Sequence, residues 1–300
     1  MPRPNGMQHL EKPPWLKVKA PLSSEYQETH ALVETHKLHT VCKEAHCPNI
    51  GECWSKRSAT FLIMGDLCTR SCRFCAVKKG TPRPGRENSL RPLDPGEPER
   101  VALAVKALDL KHAVITSVNR DDQPDNGAAH FAATVKAIKQ YAPLCKIELL
   151  IPDLQGSRLD LQTIMQSGPD VLNHNLETVP RLYKAVRPKA GYIRSLSILK
   201  WAKELNPSAL TKSGIMVGLG ETKEEVLALM DDLLYSGVEI MTIGQYLRPS
   251  LRQLPVKSFV RPEEFKEYEK IGRKKGFKFV ESGPLVRSSY QAWKHTQPAF

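Results

Sequence analysis

No stretch of this 300-residue chain is apolar over the roughly 20 residues that a bilayer crossing requires. Residues 1–22 lack the apolar core of a secretory signal and are rich in proline instead. They also lack the Arg- and Ser-rich amphipathic pattern of a transit peptide. No internal repeat or low-complexity segment is present. With 41% hydrophobic and 25% charged residues, the composition excludes a disordered tail protein and a collagen. Acidic residues are the minority, 32 against 44 Lys and Arg, for a net charge of +12. That balance favours an acidic partner, whether nucleic acid, an anionic cofactor or a protein surface, without choosing among them. The length allows one large domain or two ordinary ones, with a sizeable core. A reducing compartment, the cytoplasm, is expected, and there clustered cysteines signal metal or redox chemistry more often than disulfides.

Six of the seven cysteines lie between Cys42 and Cys75, in two triplets. Cys42, Cys47 and Cys53 are spaced C-x4-C-x5-C; Cys68, Cys72 and Cys75 are spaced C-x3-C-x2-C. The seventh, Cys145, stands beside the apolar run 147–151 and reads as a small core residue. A four-iron cluster held by three cysteines keeps one iron for a substrate or a non-cysteine ligand. Two triplets thus suggest two sites, each with one special position. Spacing alone also permits zinc: Cys72 and Cys75 form a C-x2-C knuckle, and His46 sits beside Cys47. His46 reads as a loop histidine.

The first 58 residues are irregular, with one polar, helix-compatible stretch at 23–38. From Ala59 a rhythm begins. Short apolar or β-branched runs at 59–64, 113–118, 147–151, 171–174, 214–217 and 240–243 alternate with helical patterns near 97–108, 127–141, 159–166, 193–204 and 223–235. Such alternation implies βαβ units and a parallel sheet. Six units are too few for a closed eight-stranded barrel, so the expected fold is α/β, a partial (β/α)6 TIM-like barrel. The expected segments are an N-terminal extension (1–58) carrying the first triplet, the barrel (59–248), and a C-terminal extension (249–300). The last is a basic cover with a helix near 262–275, either a solvated face or a docking surface.

In such barrels chemistry sits where the strands end. The second triplet directly follows the first run. Ser117-Val118-Asn119-Arg120-Asp121 ends the second, Pro152-Asp153 the third and Asn173-His174-Asn175 the fourth. Gly218-Leu219-Gly220-Glu221 and Gly244-Gln245-Tyr246 end the last two.

The loop Cys68-x3-Cys72-x-Phe74-Cys75 resembles the signature of the radical S-adenosylmethionine (SAM) superfamily. With C-x4-C-x5-C upstream and Arg287-Ser288-Ser289-Tyr290 near the C-terminus, the pattern resembles the lipoyl synthase family. The resemblance runs from Lys12-Pro13-Pro14-Trp15-Leu16 to that terminal motif. It implies that Cys68, Cys72 and Cys75 bind a [4Fe-4S] cluster whose open iron takes SAM. The radical made there would abstract hydrogen from an octanoyl chain on a carrier protein. Cys42, Cys47 and Cys53 would hold an auxiliary [4Fe-4S] cluster that donates two sulfurs, at C6 and C8, and two SAM molecules would be consumed. A serine would cap that cluster's fourth iron, mapped to Ser288 with Ser289 as the alternative.

Ser117, Asn119, Arg120 and Asp121 resemble the superfamily segment that holds the SAM amino group. Asn173 and Asn175 are candidates for ribose or carboxylate, and Gly218 and Gly220 for close approach to adenine. The implied partners are acidic octanoylated lipoyl carrier domains (2-oxoacid dehydrogenase E2 subunits, glycine cleavage H protein) and a low-potential donor such as ferredoxin or flavodoxin. Neither a membrane nor a nucleic acid is expected. A tRNA methylthiotransferase, a zinc-dependent nucleic-acid binder and an electron carrier fit less well. The first needs flanking domains for which this chain has no room. The second leaves the βα units unexplained, and the third seldom needs so large a barrel.

Overall fold

The computed structural model describes residues 11–18 and 23–296; parts of both expected extensions, residues 1–10, 19–22 and 297–300, lie outside the described residues. Ser23 starts α1 (Ser24–Thr35), its hydroxyl accepting from the Tyr26 amide at 3.2 Å. An oxygen side chain at that position satisfies an amide that the first turn leaves open. There follow β1 (His39–Thr40), α2 (Val41–Glu44) and α3 (Ile50–Ser55). The rhythm then runs β2 (Thr60–Ile63), β3 (Leu67–Cys68), β4 (Lys78–Lys79), α4 (Glu97–Ala107), β5 (His112–Ser117), α5 (Ala128–Tyr141), β6 (Lys146–Leu150), α6 (Arg158–Gln166) and β7 (Val171–Asn173). It continues as α7 (Tyr183–Val186), α8 (Tyr192–Leu205), β8 (Leu210–Val217), α9 (Lys223–Tyr235), β9 (Ile240–Gln245), α10 (Pro262–Lys275) and β10 (Phe279–Gly283).

Eight strands form one sheet in the order β1-β2-β5-β6-β7-β8-β9-β10, with β1 and β10 at its edges. Every neighbour pair is parallel except β1 with β2. All six expected strands are present, in the expected order, in an open sheet. Parallel strands covered on both faces read as apolar runs, and Phe61, Ile63, Ile115, Ile147 and Leu149 have no exposed surface.

The alternation does not stop at residue 248. Helix α10 packs Phe265 and Tyr268 into the same core as Val280 of β10, and β10 adds a seventh parallel strand. That strand escapes sequence reading because Phe279–Gly283 is only half-buried and carries Glu281 and Ser282. The two-residue strand β1 is too short to leave a pattern, and β3 pairs with β4 in a separate small sheet. The strand ends open onto one cavity of about 2200 Å³.

Candidate active site: two cysteine triplets on one cavity

The second triplet sits in the loop leaving β3. Cys68 Sγ accepts from the Arg70 amide at 3.4 Å and the Asn119 amide at 3.3 Å. The loop is fixed from three sides. Thr69 N donates to Asn119 O at 3.0 Å, Arg73 N to Val186 O at 2.9 Å, and Leu254 N to Arg73 O at 2.9 Å. Gln253 Nε2 donates to Cys75 O at 3.0 Å. Phe74, the aromatic residue of the motif, packs against Val186, Leu219 and Tyr246. All three thiols line the cavity, with Cys68 at the end of β3 and the other two on this clamped turn.

Beneath the loop lies Arg70, 5% exposed. Its guanidinium meets Asp121 at 2.8, 2.9 and 3.1 Å, and Asp153 at 2.6 Å. Burial would raise the Asp153 carboxyl, but the Arg70 hydrogen bond and charge outweigh it and hold the pKa at about 2. Asp153 also meets Arg194 at 3.2 Å.

The expected SAM residues divide into two groups. Ser117, Asn119, Arg120 and Asn175 line the cavity. Ser117 Oγ and Asn119 Oδ1 are buried polar atoms with no hydrogen-bond partner among the described residues. Arg120, however, is committed to Asp122, at 2.7 and 2.8 Å, and to the Arg91 carbonyl at 3.0 Å. Asp121 is held by Arg70 and Thr69 and is not on the cavity wall. Asn173 points to Glu148 at 2.9 Å, below the cavity. Gly218, at φ 97°, is where a Cβ would fall 2.1 Å from Gln245 Nε2 and 2.5 Å from Ser258 O, so its role is close packing of the strap after β9. Gly220, at φ 108°, turns the chain into α9 and receives Arg181 on its carbonyl at 2.8 Å. Neither glycine lines the cavity.

Sequence reasoning missed Glu177 and Arg187, two ionisable residues on the cavity wall, the first half-buried and the second buried. Glu177 holds φ 67°, locked by Glu177 N donating to Gly214 O and Met216 N to Glu177 O, each at 2.9 Å. Burial pushes its carboxyl up. Arg187 donates to Asn175 O at 2.7 Å and to Tyr183 Oη at 3.0 Å, while its Nε has no partner among the described residues. Glu177 follows β7 closely, as mouth residues do, but lies outside the run Asn173–Asn175, and Arg187 comes only after α7, where no local pattern marks it.

The first triplet lies on α2, the following turn and α3. Cys47 N donates to Cys42 O at 3.1 Å, and Cys53 N to Asn49 O at 2.9 Å. Together with Arg287, Ser289 and Tyr290, these cysteines line a small cavity of about 20 Å³. Cys42 and Cys47 also line the large one. Of the two candidate serines, Ser289 lines the small cavity, whereas Ser288 donates to Asn175 Oδ1 at 2.9 Å. Burial pushes the Cys42 thiol up to about 11 and Cys53 and Cys75 up to about 12. His46 lines the large cavity at φ 51° and shares no site with three other metal-ligating groups among the described residues. Cys145 is 7% exposed in the main core and lines neither cavity.

A partial barrel with a C-x3-C-x2-C loop at its mouth defines a radical SAM enzyme. The Radical SAM superfamily model matches residues 62–233, and the model for the N-terminal domain of lipoyl synthase matches residues 1–47. The chain is 54% identical over 288 residues to a lipoyl synthase of Rubrobacter xylanophilus, covering 96% of this chain and 87% of the relative. It is 56% identical over 283 residues to that of Caldanaerobacter subterraneus subsp. tengcongensis, covering 94% and 96%. The fold resembles methylornithine synthase (TM-score 0.55, 14% identity, 89% and 80% of the two chains). It also resembles HydG, a maturase of the [FeFe]-hydrogenase (TM-score 0.57, 15% identity, 86% and 63%). The chain belongs to the lipoyl synthase family.

SAM and [4Fe-4S] clusters are that family's cofactors, and the donor sets fit them. All six thiols are free. Among the described residues no three His, Cys, Asp or Glu side chains converge on a point for a single metal ion. A four-iron cluster asks for something else: three sulfurs spread around a larger body, each on its own iron. Buried thiols with raised pKa values also match ligands that ionise only when a metal takes the proton's place. The unpartnered Ser117 and Asn119 oxygens offer polar contacts beside Cys68.

Proposed function

We propose that this chain is a sulfurtransferase that inserts two sulfur atoms, at C6 and C8, into an octanoyl group carried on a lysine of a lipoyl carrier protein. The observation that carries the reading is that one cavity is lined by all three cysteines of the second triplet and by Cys42 and Cys47 of the first. An acyl chain there meets a site of hydrogen abstraction and a source of sulfur without leaving. When bound, the clusters and SAM supply the electron, the radical that removes hydrogen from an unactivated C–H bond, and the sulfur.

The protein's own residues supply position and shielding. Cys68, Cys72 and Cys75 hold one cluster on a loop that Arg70, Asp121 and Asp153 brace from below. Asn119, Ser117, Asn175, Glu177 and Arg187 offer SAM its polar contacts. Cys42, Cys47 and Cys53 hold the auxiliary cluster, with Ser289 or Ser288 as the oxygen ligand. Leu62, Met64, Leu150, Ile151, Ile215 and Met216 give the cavity its apolar wall for the acyl chain. Exposed Arg73, Lys78, Lys79, Arg91 and Arg252 stand on the cavity lining, and such a rim steers an acidic carrier inward. We place the E2 subunits of 2-oxoacid dehydrogenases and the glycine cleavage H protein among its carriers. A low-potential carrier such as ferredoxin or flavodoxin is the donor, and the cytoplasm the compartment.

The test is anaerobic reconstitution, metal analysis, and turnover on an octanoylated carrier. About eight irons and eight sulfides per chain are expected, with a carrier mass gain of two sulfurs less two hydrogens. Stoichiometric zinc with little iron, or SAM cleavage without that mass gain, would reject the reading.

A further inference from the structure

The floor of the barrel, below the cavity, holds a second polar centre. Glu148 on β6 and Lys212 on β8 have no exposed surface. Lys212 Nζ donates to the two Glu148 oxygens at 2.9 and 3.1 Å. Asn173 Nδ2 donates to Glu148 Oε1 at 2.9 Å, and His112 Nε2 lies 3.4 Å from Oε2. The C-terminal segment closes this cluster. A short 3-10 helix, Ala292–Thr296, brings His295 Nδ1 to 3.4 Å from Lys212 Nζ and Thr296 Oγ1 to 3.2 Å from His112 Nδ1. His295 is 2% exposed, and its ring packs 5.7 Å from that of Phe279.

An ammonium group only donates. The His295 nitrogen facing Lys212 is therefore an acceptor, and the ring is neutral with its proton on Nε2. Burial and the Lys212 charge keep it so, with a pKa pulled down to about 3. A buried ammonium with one carboxylate is costly unless further acceptors complete its shell. His295 supplies one from the end of the chain.

The eight residues between β10 and that helix carry Arg287-Ser288-Ser289-Tyr290. Upstream, Leu285 O is held by Asn49 Nδ2 at 2.7 Å, and Tyr290 Oη lies 3.3 Å from Glu52. Downstream, the fixed point is the buried floor. We infer that His295 is a positioning residue: by accepting from Lys212 it latches the C-terminal segment to the barrel floor and so holds Ser289 at the auxiliary cysteines and Ser288 on Asn175. The link to catalysis rests on the reading that one of these serines serves the auxiliary cluster.

The test compares wild type, H295L, H295Q and T296V, all reconstituted with iron and sulfide. Three readouts are taken: amide hydrogen exchange over residues 285–296, 5′-deoxyadenosine release from SAM, and sulfur insertion. H295L is expected to exchange faster over 285–296 and to lose sulfur insertion about tenfold, the scale of one hydrogen bond from a charged donor. Its 5′-deoxyadenosine release is expected to stay within about twofold of wild type, since the Cys68 loop is untouched, and H295Q, which keeps an acceptor, to restore both defects. Unchanged exchange in H295L would overturn the latch, as would equal losses of 5′-deoxyadenosine release and sulfur insertion. Should circular dichroism show H295L unfolded, T296V decides: faster exchange over 292–296 supports the latch, and wild-type exchange rejects it. Exchange needs no turnover, so a wild type that inserts no sulfur would count against the proposed function alone.

Discussion

Ser288 donates its hydroxyl to Asn175 Oδ1 at 2.9 Å, tying the chain's C-terminal segment to the turn after β7. Both serines line the large cavity, but only its neighbour Ser289 also lines the small one beside the three auxiliary cysteines. On the proposed function the two adjacent serines have separable tasks. S289A is expected to keep its iron but to change the electron paramagnetic resonance signal of the auxiliary cluster and to lose sulfur insertion by more than tenfold. S288A loses one neutral hydrogen bond, about 1 kcal/mol or roughly fivefold. Full turnover by S289A, with a deep loss in S288A, would exchange the two assignments.

The cysteines divide as sharply. Substituting Cys72 or Cys75 by Ala would, on the proposed function, remove one thiolate of the SAM-binding cluster, and 5′-deoxyadenosine release is expected to vanish. Substituting Cys47 should leave that release intact and abolish sulfur insertion. C145A, inside the core, is expected to keep both clusters and both activities at a stability cost of about 1 kcal/mol. Iron analysis with the two product assays checks all four variants. Loss of iron in C145A would show that its packing reaches a cluster.

Much of this was legible in the residues. Each strand from β2 to β9 in the main sheet announces itself by a short apolar run, because a parallel strand is covered on both faces. The triplets are legible because ligation demands particular atoms at short sequence spacing. What sequence could not give is which polar mouth residue faces inward. Arg120 and Asp121 sit at a strand end as expected, yet their charges are taken by Asp122 and Arg70, partners fixed only by folding. Gly218 makes the same point. Its freedom serves the contact with Gln245 and Ser258, from a strap 27 or more residues away in sequence, and not a ligand. Glu177 gains its place from the turn after β7 and Arg187 from the end of α7, neither of which a local pattern records.

Arg70 is expected to be indispensable to the cysteine loop. R70M would remove the guanidinium that Asp121 and Asp153 share, leaving Asp153 with Arg194 alone, and breaking a buried ion pair by removing one partner costs about 3–5 kcal/mol. R70K restores the charge but not the fork that spans two carboxylates. Both variants should therefore lose iron from the SAM-binding cluster first, with R70K the milder. Iron content and melting temperature check this. A fully loaded R70M would show that Leu254, Gln253 and Asn119 suffice to hold the loop.

Acid is expected to unfold the apo chain by a route that the buried pairs define. Burial would raise Glu148, but the Lys212 charge outweighs it and holds its pKa at about 2, below the ordinary 4.5. Asp153 is likewise at about 2 against an ordinary 3.8. A carboxyl lowered by folding contributes stability above its unfolded pKa, and that contribution is lost as pH falls through the folded value. Two histidines act over a higher window. Burial, then Arg187, lowers His174 from 6.5 to about 4, and burial with Lys212 lowers His295 from 6.5 to about 3. The unfolded chain binds protons at these rings first, so stability declines already as pH drops below about 6.5. Urea unfolding at a series of pH values should show a gentle fall from neutrality to about pH 4.5 and a steep one below it. H295Q removes one of the two histidines and should flatten the curve from about pH 6.5 down to about 3, the interval between its unfolded and folded values. E148Q should flatten the lower part, at the cost of lower stability at neutral pH because Lys212 then lacks its counter-charge. Unchanged curves for both variants would mean that neither buried group differs between the folded and unfolded states.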